Sequence, residues 1–239
     1  MRQLAVVAAV LLWLVPAKTQ ERTEFFVQLS DPQFGAFTQD KDFAHETANY
    51  EFAIANVNRL RPAFVVICGD LINKTGDKRQ ADEYFRLTSK IDRSIPVHAV
   101  PGNHDVGNEP TSASLKAYRD RFGPNYYSFR HGRLFGIVLD SSVISAPGKV
   151  RLEADAQEAW LKAELVRARA SDARHIVIFQ HHSWFLEKPD EASQYFNVPI
   201  EARRRYLDLL KSSGVRYVFA GHYHRNSYGR DGDLEMITS

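Results

Sequence analysis

Five short apolar runs in this chain each end at side chains that can bind a metal ion, and this repeated pattern restricts the folds it can adopt. Helix-patterned segments separate several runs, as Phe43–Leu60 does after the first. Alternation of strand, polar tip and helix indicates an α/β fold, whose strands carry binding loops at their carboxyl ends. We therefore expect all five tips at one edge of one sheet. The tips hold Asp31 and Gln33; Asp70; Asn103, His104 and Asp105; His181; and His222 with His224.

The third tip is the most distinctive, because the apolar run Ile95–Val100 leads directly into Pro101-Gly102-Asn103-His104-Asp105. An amide oxygen can bind a metal ion, an imidazole can exchange a proton near neutral pH, and a carboxylate can orient that imidazole. Glycine, asparagine and aspartate are also common in ordinary turns. This stretch alone leaves both interpretations open, and the other four tips favour a functional one.

The five tips together offer carboxylate, amide and imidazole groups. This mixture suits Mn²⁺, Fe²⁺ or Zn²⁺ better than Ca²⁺. There are more candidate ligands than one ion needs, whereas two ions about 3.5–4 Å apart could share them through a bridging carboxylate. We therefore expect two divalent metal ions as cofactors, with their identity open.

The N-terminal segment differs from the rest of the chain. Residues 1–20 combine a basic start, the apolar run Leu4–Val15 and small residues suited to cleavage. These features are typical of a secretory signal peptide and predict a periplasmic or secreted protein, with an uncleaved anchor helix as the alternative. Residues 21–239 contain no repeat, linker or low-complexity tract, so we expect one domain.

Composition argues against several classes of partner. The formal net charge of +2 is spread along the chain, which gives no electrostatic footprint for nucleic acid. No apolar run approaches the length of about 20 residues that a membrane span needs, so we expect none after signal cleavage. The single cysteine, Cys68, cannot form an intrachain disulfide. The oligomeric state is not indicated.

The order of the tips resembles the calcineurin-like metallophosphoesterase superfamily. Longer stretches are similar to the subfamily of calcineurin-like phosphoesterase domain-containing protein 1, assigned as serine/threonine-protein phosphatases. These stretches are Asp31-Pro32-Gln33-Phe34-Gly35, Phe179-Gln180-His181 and Gly221-His222-Tyr223-His224-Arg225-Asn226. The resemblance implies an α/β fold, a four-layer α/β/β/α sandwich of two mixed sheets. Family members usually continue past the position of Ser239, so we expect the second sheet to be incomplete at the C-terminus.

The resemblance also implies two metal sites that share one carboxylate. The first ion would be held by Asp31, Asp70 and His224, with Gln33 at the place where most superfamily members have histidine. The second ion would be held by Asp70, Asn103, His181 and His222, with Asp70 as the bridge.

Three further residues receive roles outside the ligand set. His104 would be the general acid or the stabiliser of the transition state, and Asp105 would orient its ring. His182 would not bind an ion itself but would contact the residues that do. Gln33 has two interpretations, because its amide could bind the first ion weakly or hydrogen-bond a water on it.

We expect metal-dependent hydrolysis of phosphate monoesters, with phosphoserine and phosphothreonine on proteins among the substrates. Two cations can convert a shared water into a metal-bound hydroxide near neutral pH, so no side-chain nucleophile is required. Two alternatives remain: hydrolysis of phosphodiesters, including cyclic nucleotides, and a catalytically silent metal-binding domain.

Two segments near the tips invite additional expectations. The polar and aromatic loop 184–198 is long, and loops of this length beside a site are often lids. The run Arg203-Arg204-Arg205 is expected to form a solvated helix face, and Arg225 is suited to contact a phosphate.

Overall fold

The protein's structure is a computed structural model that describes residues 24–239, so the predicted signal peptide at 1–20 lies outside the described residues. Its first sheet has three strands in the order β1-β2-β3, with bounds Val27–Leu29, Val65–Cys68 and Val97–Val100. Both pairings are parallel. The strands are parallel because each connection crosses over through a helix.

The second sheet has six strands in the order β4-β5-β6-β7-β9-β8 and is mixed. Its strands are β4 Tyr127–His131, β5 Leu134–Val138, β6 His175–Phe179, β7 Tyr217–Ala220, β8 Ser227–Asp231 and β9 Leu234–Thr238. The β4–β5 pair is an antiparallel hairpin, β5, β6, β7 and β9 run parallel to one another, and β8 pairs antiparallel with β9. Two sheets are therefore confirmed, although only this one is mixed.

Seven α-helices and a short 3-10 turn connect the strands within residues 24–239. They are α1 Ala44–Leu60, α2 Lys78–Thr88, α3 Asn103–Val106, α4 Ser112–Phe122, α5 Ser141–Ser145, the 3-10 turn Pro147–Lys149, α6 Arg151–Ala170 and α7 Ile200–Ser212. Within this part of the chain, no helix combines the length and apolar character that crossing a bilayer requires.

Alternating side chains of the central strands face different layers of the fold. In β2, Val65 and Ile67 pack against the helices α1, α2 and α4, while Val66 and Cys68 pack against the other sheet. In β6, Val177 and Phe179 likewise face the first sheet, while its alternate residues pack under α6 and α7. Strands that are covered on both faces have sequences that are continuous apolar runs. The predicted four-layer α/β/β/α sandwich is confirmed.

The half-buried side chain of His98 packs between the two sheets. The ring of His98 on β3 stacks on Phe129 of β4, with ring centroids 3.6 Å apart. Burial, followed by the charge of His131, lowers the pKa of His98 from 6.5 to about 4. Between these values the unfolded chain binds the proton more tightly than the folded chain does. The contribution of His98 to the free energy of unfolding therefore decreases as pH falls from about 6.5 towards about 4.

We expect His98→Phe to reduce this acid sensitivity, because phenylalanine keeps the stacking and cannot titrate. Urea unfolding near pH 7.5 and near pH 5 should show that the variant loses roughly 1 kcal/mol less than the parent. This figure lies below the full shift because the ring is partly solvated. An identical pH dependence in both proteins would contradict the assignment.

Candidate metal centre

The predicted tips meet at one edge of the molecule, but they come from two sheets and not from one. Asp31, Asp70 and Asn103 follow the strands of the first sheet, whereas His181 and His222 follow β6 and β7 of the second. The expectation of a single sheet was therefore wrong. The sheets pack face to face with their carboxyl ends on the same side, so the tips of both converge.

The backbone at these tips is held in an unusual conformation. Left-handed φ values of 40° to 69° occur at Asp31, Gln33, Asp70, His222 and His224. Non-glycine residues rarely adopt this region, and its cost is tolerated chiefly where function requires it.

Glycines beside the tips allow a close approach of the chain. A Cβ on Gly102 would collide with the carboxylate of Asp70, and one on Gly69 would collide with the ring of His181. The Gly-Asp and Gly-Asn-His-Asp motifs therefore contain glycine for a steric reason.

One group of candidate ligands surrounds His181. Nitrogen or carboxylate oxygen atoms of Asp70, His181 and His222 all lie within 4.8 Å of one another. The Nε2 atom of His181 lies 3.2 Å from Asp70 Oδ2 and 3.0 Å from Asn103 Oδ1. Two atoms bound at right angles to one ion at about 2.1 Å would be separated by about 3 Å, which matches both distances.

The other ring nitrogen of His181 fixes the tautomer. Its Nδ1 lies 2.8 Å from the carbonyl oxygen of Cys68, which can only accept, so Nδ1 carries the hydrogen and donates it. Nε2 is then the nitrogen that faces the two oxygens, and it can bind an ion once its own proton has left. A histidine ligand whose second nitrogen donates to a carbonyl is the usual arrangement in metal sites.

The electrostatics of this buried group favour a positive charge. Burial alone would lower the pKa of His181, but the charge and hydrogen bond of Asp70, together with Asp31 and the Cys68 carbonyl, raise it to about 10. The pKa of Asp70 is lowered although burial opposes this, because His181 and His104 stabilise the carboxylate. In the protein without metal a proton supplies the charge that a cation would otherwise provide.

His222 is held as a neutral imidazole. Its Nε2 donates to the carbonyl oxygen of Tyr195 at 2.9 Å, which leaves Nδ1 free to act as a ligand. Burial, followed by the charge of His181, lowers the pKa of His222 to about 4. Neutral imidazole is the form that binds metal ions.

A second group consists of Asp31, Asp70 and His224, whose ligand atoms also lie within 4.8 Å of one another. Asp31 Oδ2 accepts from the backbone amide of His222 at 3.1 Å. Asp31 Oδ1 is buried without a hydrogen-bond partner, although His224 Nε2 lies 3.2 Å away. An unpartnered buried oxygen is costly unless something else satisfies it. The donors of both groups, which share Asp70, fit divalent ions.

His104 lies beside both groups, but Asp105 does not orient it. The Nδ1 atom of His104 lies 2.6 Å from the carbonyl oxygen of Asn73, and its backbone amide donates to Asp70 Oδ1 at 2.9 Å. The predicted contact between Asp105 and the ring is wrong, and Asn73 takes that place. The sequence held no signal for this, because any residue type offers a backbone carbonyl.

Asp105 instead fastens the backbone of two tips together. Its carboxylate accepts from the amides of Leu71, Ile72 and Gly102 at 2.8–3.2 Å. The physical reason is its position in the first turn of α3, where an acidic side chain folds back onto exposed amides. It therefore fixes the loop after Asp70 relative to the one that carries Asn103.

His182 lies outside both groups, as expected. Ser141, on α5, contacts it through Oγ, which accepts from the His182 amide at 2.8 Å and lies 3.0 Å from His182 Nδ1. The same oxygen accepts from the His181 amide at 3.2 Å. The ring of His182 packs on His222 with centroids 4.3 Å apart, so it supports that imidazole from behind. Sequence reasoning missed Ser141.

Gln33 is buried at the edge of the second group. Its Nε2 donates to Asn73 Oδ1 at 3.2 Å, and it lines the same cavity as Asp70, His104 and His224. Both interpretations of Gln33 therefore stay predictions, because the amide oxygen can face either an ion or a water molecule on one.

We expect Gln33→His to tighten binding of the ion held by Asp31, Asp70 and His224, because imidazole is a stronger donor than an amide for borderline metals. Calorimetric titration of metal-free protein with Mn²⁺ should give an affinity about 10-fold higher for the weaker ion. Gln39→His, in the exposed part of the same loop, is the matched control. An unchanged affinity would leave only the water-binding role.

A cavity of about 380 Å³ opens over the two groups. Its floor holds Asp70, His104 and His222, while Tyr195 and Phe196 of loop 184–198 form one wall. Arg225 lies at the rim with its guanidinium 5.9 Å from the ring of Tyr223. The cavity can admit a small anionic group and bring it beside the candidate ligands.

Comparison with known proteins gives three findings. The model of the calcineurin-like phosphoesterase family matches residues 26–226. The serine/threonine-protein phosphatase CPPED1 of Homo sapiens is 36% identical over 231 residues, which cover 90% of this chain and 74% of that protein. Among solved structures, a dimetal phosphatase from Danio rerio aligns with a TM-score of 0.62 at 19% identity, covering 89% of this chain and 86% of the other. At this identity it supports the fold alone.

Proposed function

The chain belongs to the calcineurin-like phosphoesterase family, which makes it a metal-dependent hydrolase of phosphoric esters, and we propose that it works as a phosphomonoesterase with two divalent ions. The observation that carries the proposal is that Asp70 belongs to both groups of candidate ligands. A carboxylate that belongs to two such groups can bridge two ions.

The ligands of the two ions follow from the groups. Asp31, Asp70 and His224, with Gln33 nearby, would hold one ion, and Asp70, Asn103, His181 and His222 would hold the other. Carboxylate, amide and imidazole donors are compatible with Mn²⁺, Fe²⁺ or Zn²⁺. When bound, such ions lower the pKa of a water molecule and offset the negative charge of the phosphate.

His104 is the proposed proton donor to the oxygen of the leaving group. Its ring lines the cavity, and its Nδ1 is engaged by the carbonyl of Asn73, so Nε2 is the nitrogen available to the substrate. General acid catalysis requires an imidazole fixed in this way within reach of the ester. Arg225, at the rim, is placed to hold a phosphate oxygen through its guanidinium.

The proposed substrates are phosphate monoesters, including phosphoserine and phosphothreonine. The similarity to a protein named as a serine/threonine-protein phosphatase supports this choice. We also propose export on the basis of the N-terminal sequence, in which case small phosphate esters outside the cytoplasm are further substrates.

The test is metal content measured together with activity on the purified protein. We expect about two ions per chain, loss of turnover after chelation and recovery when Mn²⁺, Fe²⁺ or Zn²⁺ is returned. An aryl phosphate and a phosphoserine peptide should be hydrolysed faster than a bis-aryl phosphate. Preference for the diester would make it a phosphodiesterase, and full metal occupancy without turnover of any ester would make it a silent binding domain.

A further inference from the structure

Loop 184–198, which the sequence suggested as a lid, is fastened to α7 by a buried arginine. Arg203 is 0% exposed, contrary to the expectation of a solvated helix face. Its Nε and Nη2 donate to the carbonyl of Val198 at 3.1 and 2.9 Å. Its Nη1 donates to the carbonyls of Pro189 at 3.2 Å and Glu191 at 2.6 Å. A planar guanidinium can hold three carbonyls at once, which an ammonium cannot do in the same geometry.

The loop is also folded onto itself through Glu191. Its carboxylate accepts from the backbone amides of Leu186, Glu187 and Lys188 at 2.7–3.1 Å. It accepts from the side-chain amide of Asn197 at 2.7 Å as well. With its carbonyls held by Arg203 and its amides held by Glu191, the loop is a fixed wall of the cavity and not a lid.

The loop presents Tyr195 to two of the proposed metal ligands. The carbonyl oxygen of Tyr195 accepts from His222 Nε2, which decides that Nδ1 is the free nitrogen. The side-chain amide of Asn103 donates to Asn108 Oδ1 at 2.8 Å and to the Tyr195 hydroxyl at 3.3 Å, and both contacts favour the rotamer in which Asn103 Oδ1 faces His181. Groups that orient ligands from outside commonly change metal affinity by about 10- to 100-fold.

We propose that Arg203 is a positioning residue for one of the two ions. By holding the loop it keeps the carbonyl of Tyr195 against His222 and the hydroxyl beside Asn103. Both contacts serve the ion of Asp70, Asn103, His181 and His222. Within residues 24–239, the side chains of Asp31 and His224 pair with each other and with the backbone amide of His222, and neither hydrogen-bonds to this loop. The inference rests on the proposed function, because it assumes that His222 and Asn103 bind metal.

The test compares Arg203→Met with Arg204→Met, an exposed neighbour on the same helix. In metal-free protein, ¹⁵N NMR should show His222 protonated at Nε2 in the parent and in Arg204→Met, and mixed tautomers in Arg203→Met. Titration with Mn²⁺ should show one affinity lowered by about 10- to 100-fold in Arg203→Met and the other unchanged. A general loss of packing would instead lower the affinities for both ions equally.

Three outcomes would decide against the proposal or separate it from the proposed function. The proposal would be overturned if folded Arg203→Met kept both the His222 tautomer and the metal affinities of the parent. It would also be overturned if the affinities for both ions fell equally. If Arg203→Met fails to fold, Glu191→Gln takes its place, because it weakens the hydrogen bonds that hold the amides of the same loop. This variant must then lower the affinity for one ion and leave the other unchanged. If the parent binds no metal, the proposed function fails, while the tautomer measurement still decides whether Arg203 positions His222.

Discussion

Asp70→Asn is expected to remove both ions and to reduce turnover of an aryl phosphate by about 1,000-fold. Asp70 is the only carboxylate common to both groups of candidate ligands within residues 24–239. An amide has no net charge and cannot bridge two cations as a carboxylate does. Electrostatic stabilisation by bound ions is worth several kcal/mol, and each 1.36 kcal/mol lost from it is about tenfold in rate.

The substitution is chosen so that loss of folding does not explain the result. Asparagine has nearly the same volume, and its Oδ1 can still accept from the amide of His104, as Asp70 Oδ1 does. Asp208→Asn is the matched control, because that side chain is 80% exposed on α7. Metal content by mass spectrometry, thermal unfolding and turnover are measured on the same preparations. Retention of two ions per chain in Asp70→Asn would contradict the bridging role.

The alternation of strands and helices predicted the α/β class, and the family resemblance implied the four layers, which agree with central strands that are buried on both faces. Runs such as Phe64 to Cys68 are apolar at every position, and the structure divides them between a helix layer and the opposite sheet. Short elements that lack such an apolar run were not predicted from the sequence. The strand β8 contains Ser227, Arg230 and Asp231 at the edge of its sheet, where no apolar alternation marks it.

Side-chain types predicted which residues would meet, but not which backbone groups would hold them. The convergence of Asp31, Asp70, His181, His222 and His224 followed from the motifs and agrees with the geometry. The carbonyls of Cys68, Asn73 and Tyr195, which fix three imidazoles, carry no mark in the sequence. Such partners depend on where the chain passes in space.

Two errors in interpretation have the same physical origin. Asp105 was expected to contact the neighbouring His104, and Arg203 was expected to face solvent with the charged residues beside it. Each is an ionisable side chain that is almost fully buried and satisfied by several backbone groups. Burial of such a group is tolerated when enough hydrogen bonds replace water, and local sequence does not show when they do.

His104→Asn is expected to lower turnover by about 10²- to 10⁴-fold while the metal content stays at the level of the parent. The ring of His104 belongs to neither group of candidate ligands and lines the cavity above them. Asparagine removes the proton donor, yet its amide can still donate to the carbonyl of Asn73, so the local backbone should be preserved. His175→Asn, at an exposed position where β6 begins, controls for loss of a histidine elsewhere. Loss of an ion in His104→Asn would make His104 a ligand, and unchanged turnover would remove it from the chemistry.

The leaving group of the substrate separates the possible roles of His104 further. An ester whose alcohol is already acidic needs little protonation, so the variant should be impaired least on nitrophenyl phosphate and most on phosphoserine. Equal impairment on both esters would assign His104 to stabilising the phosphate charge and not to protonating the leaving oxygen.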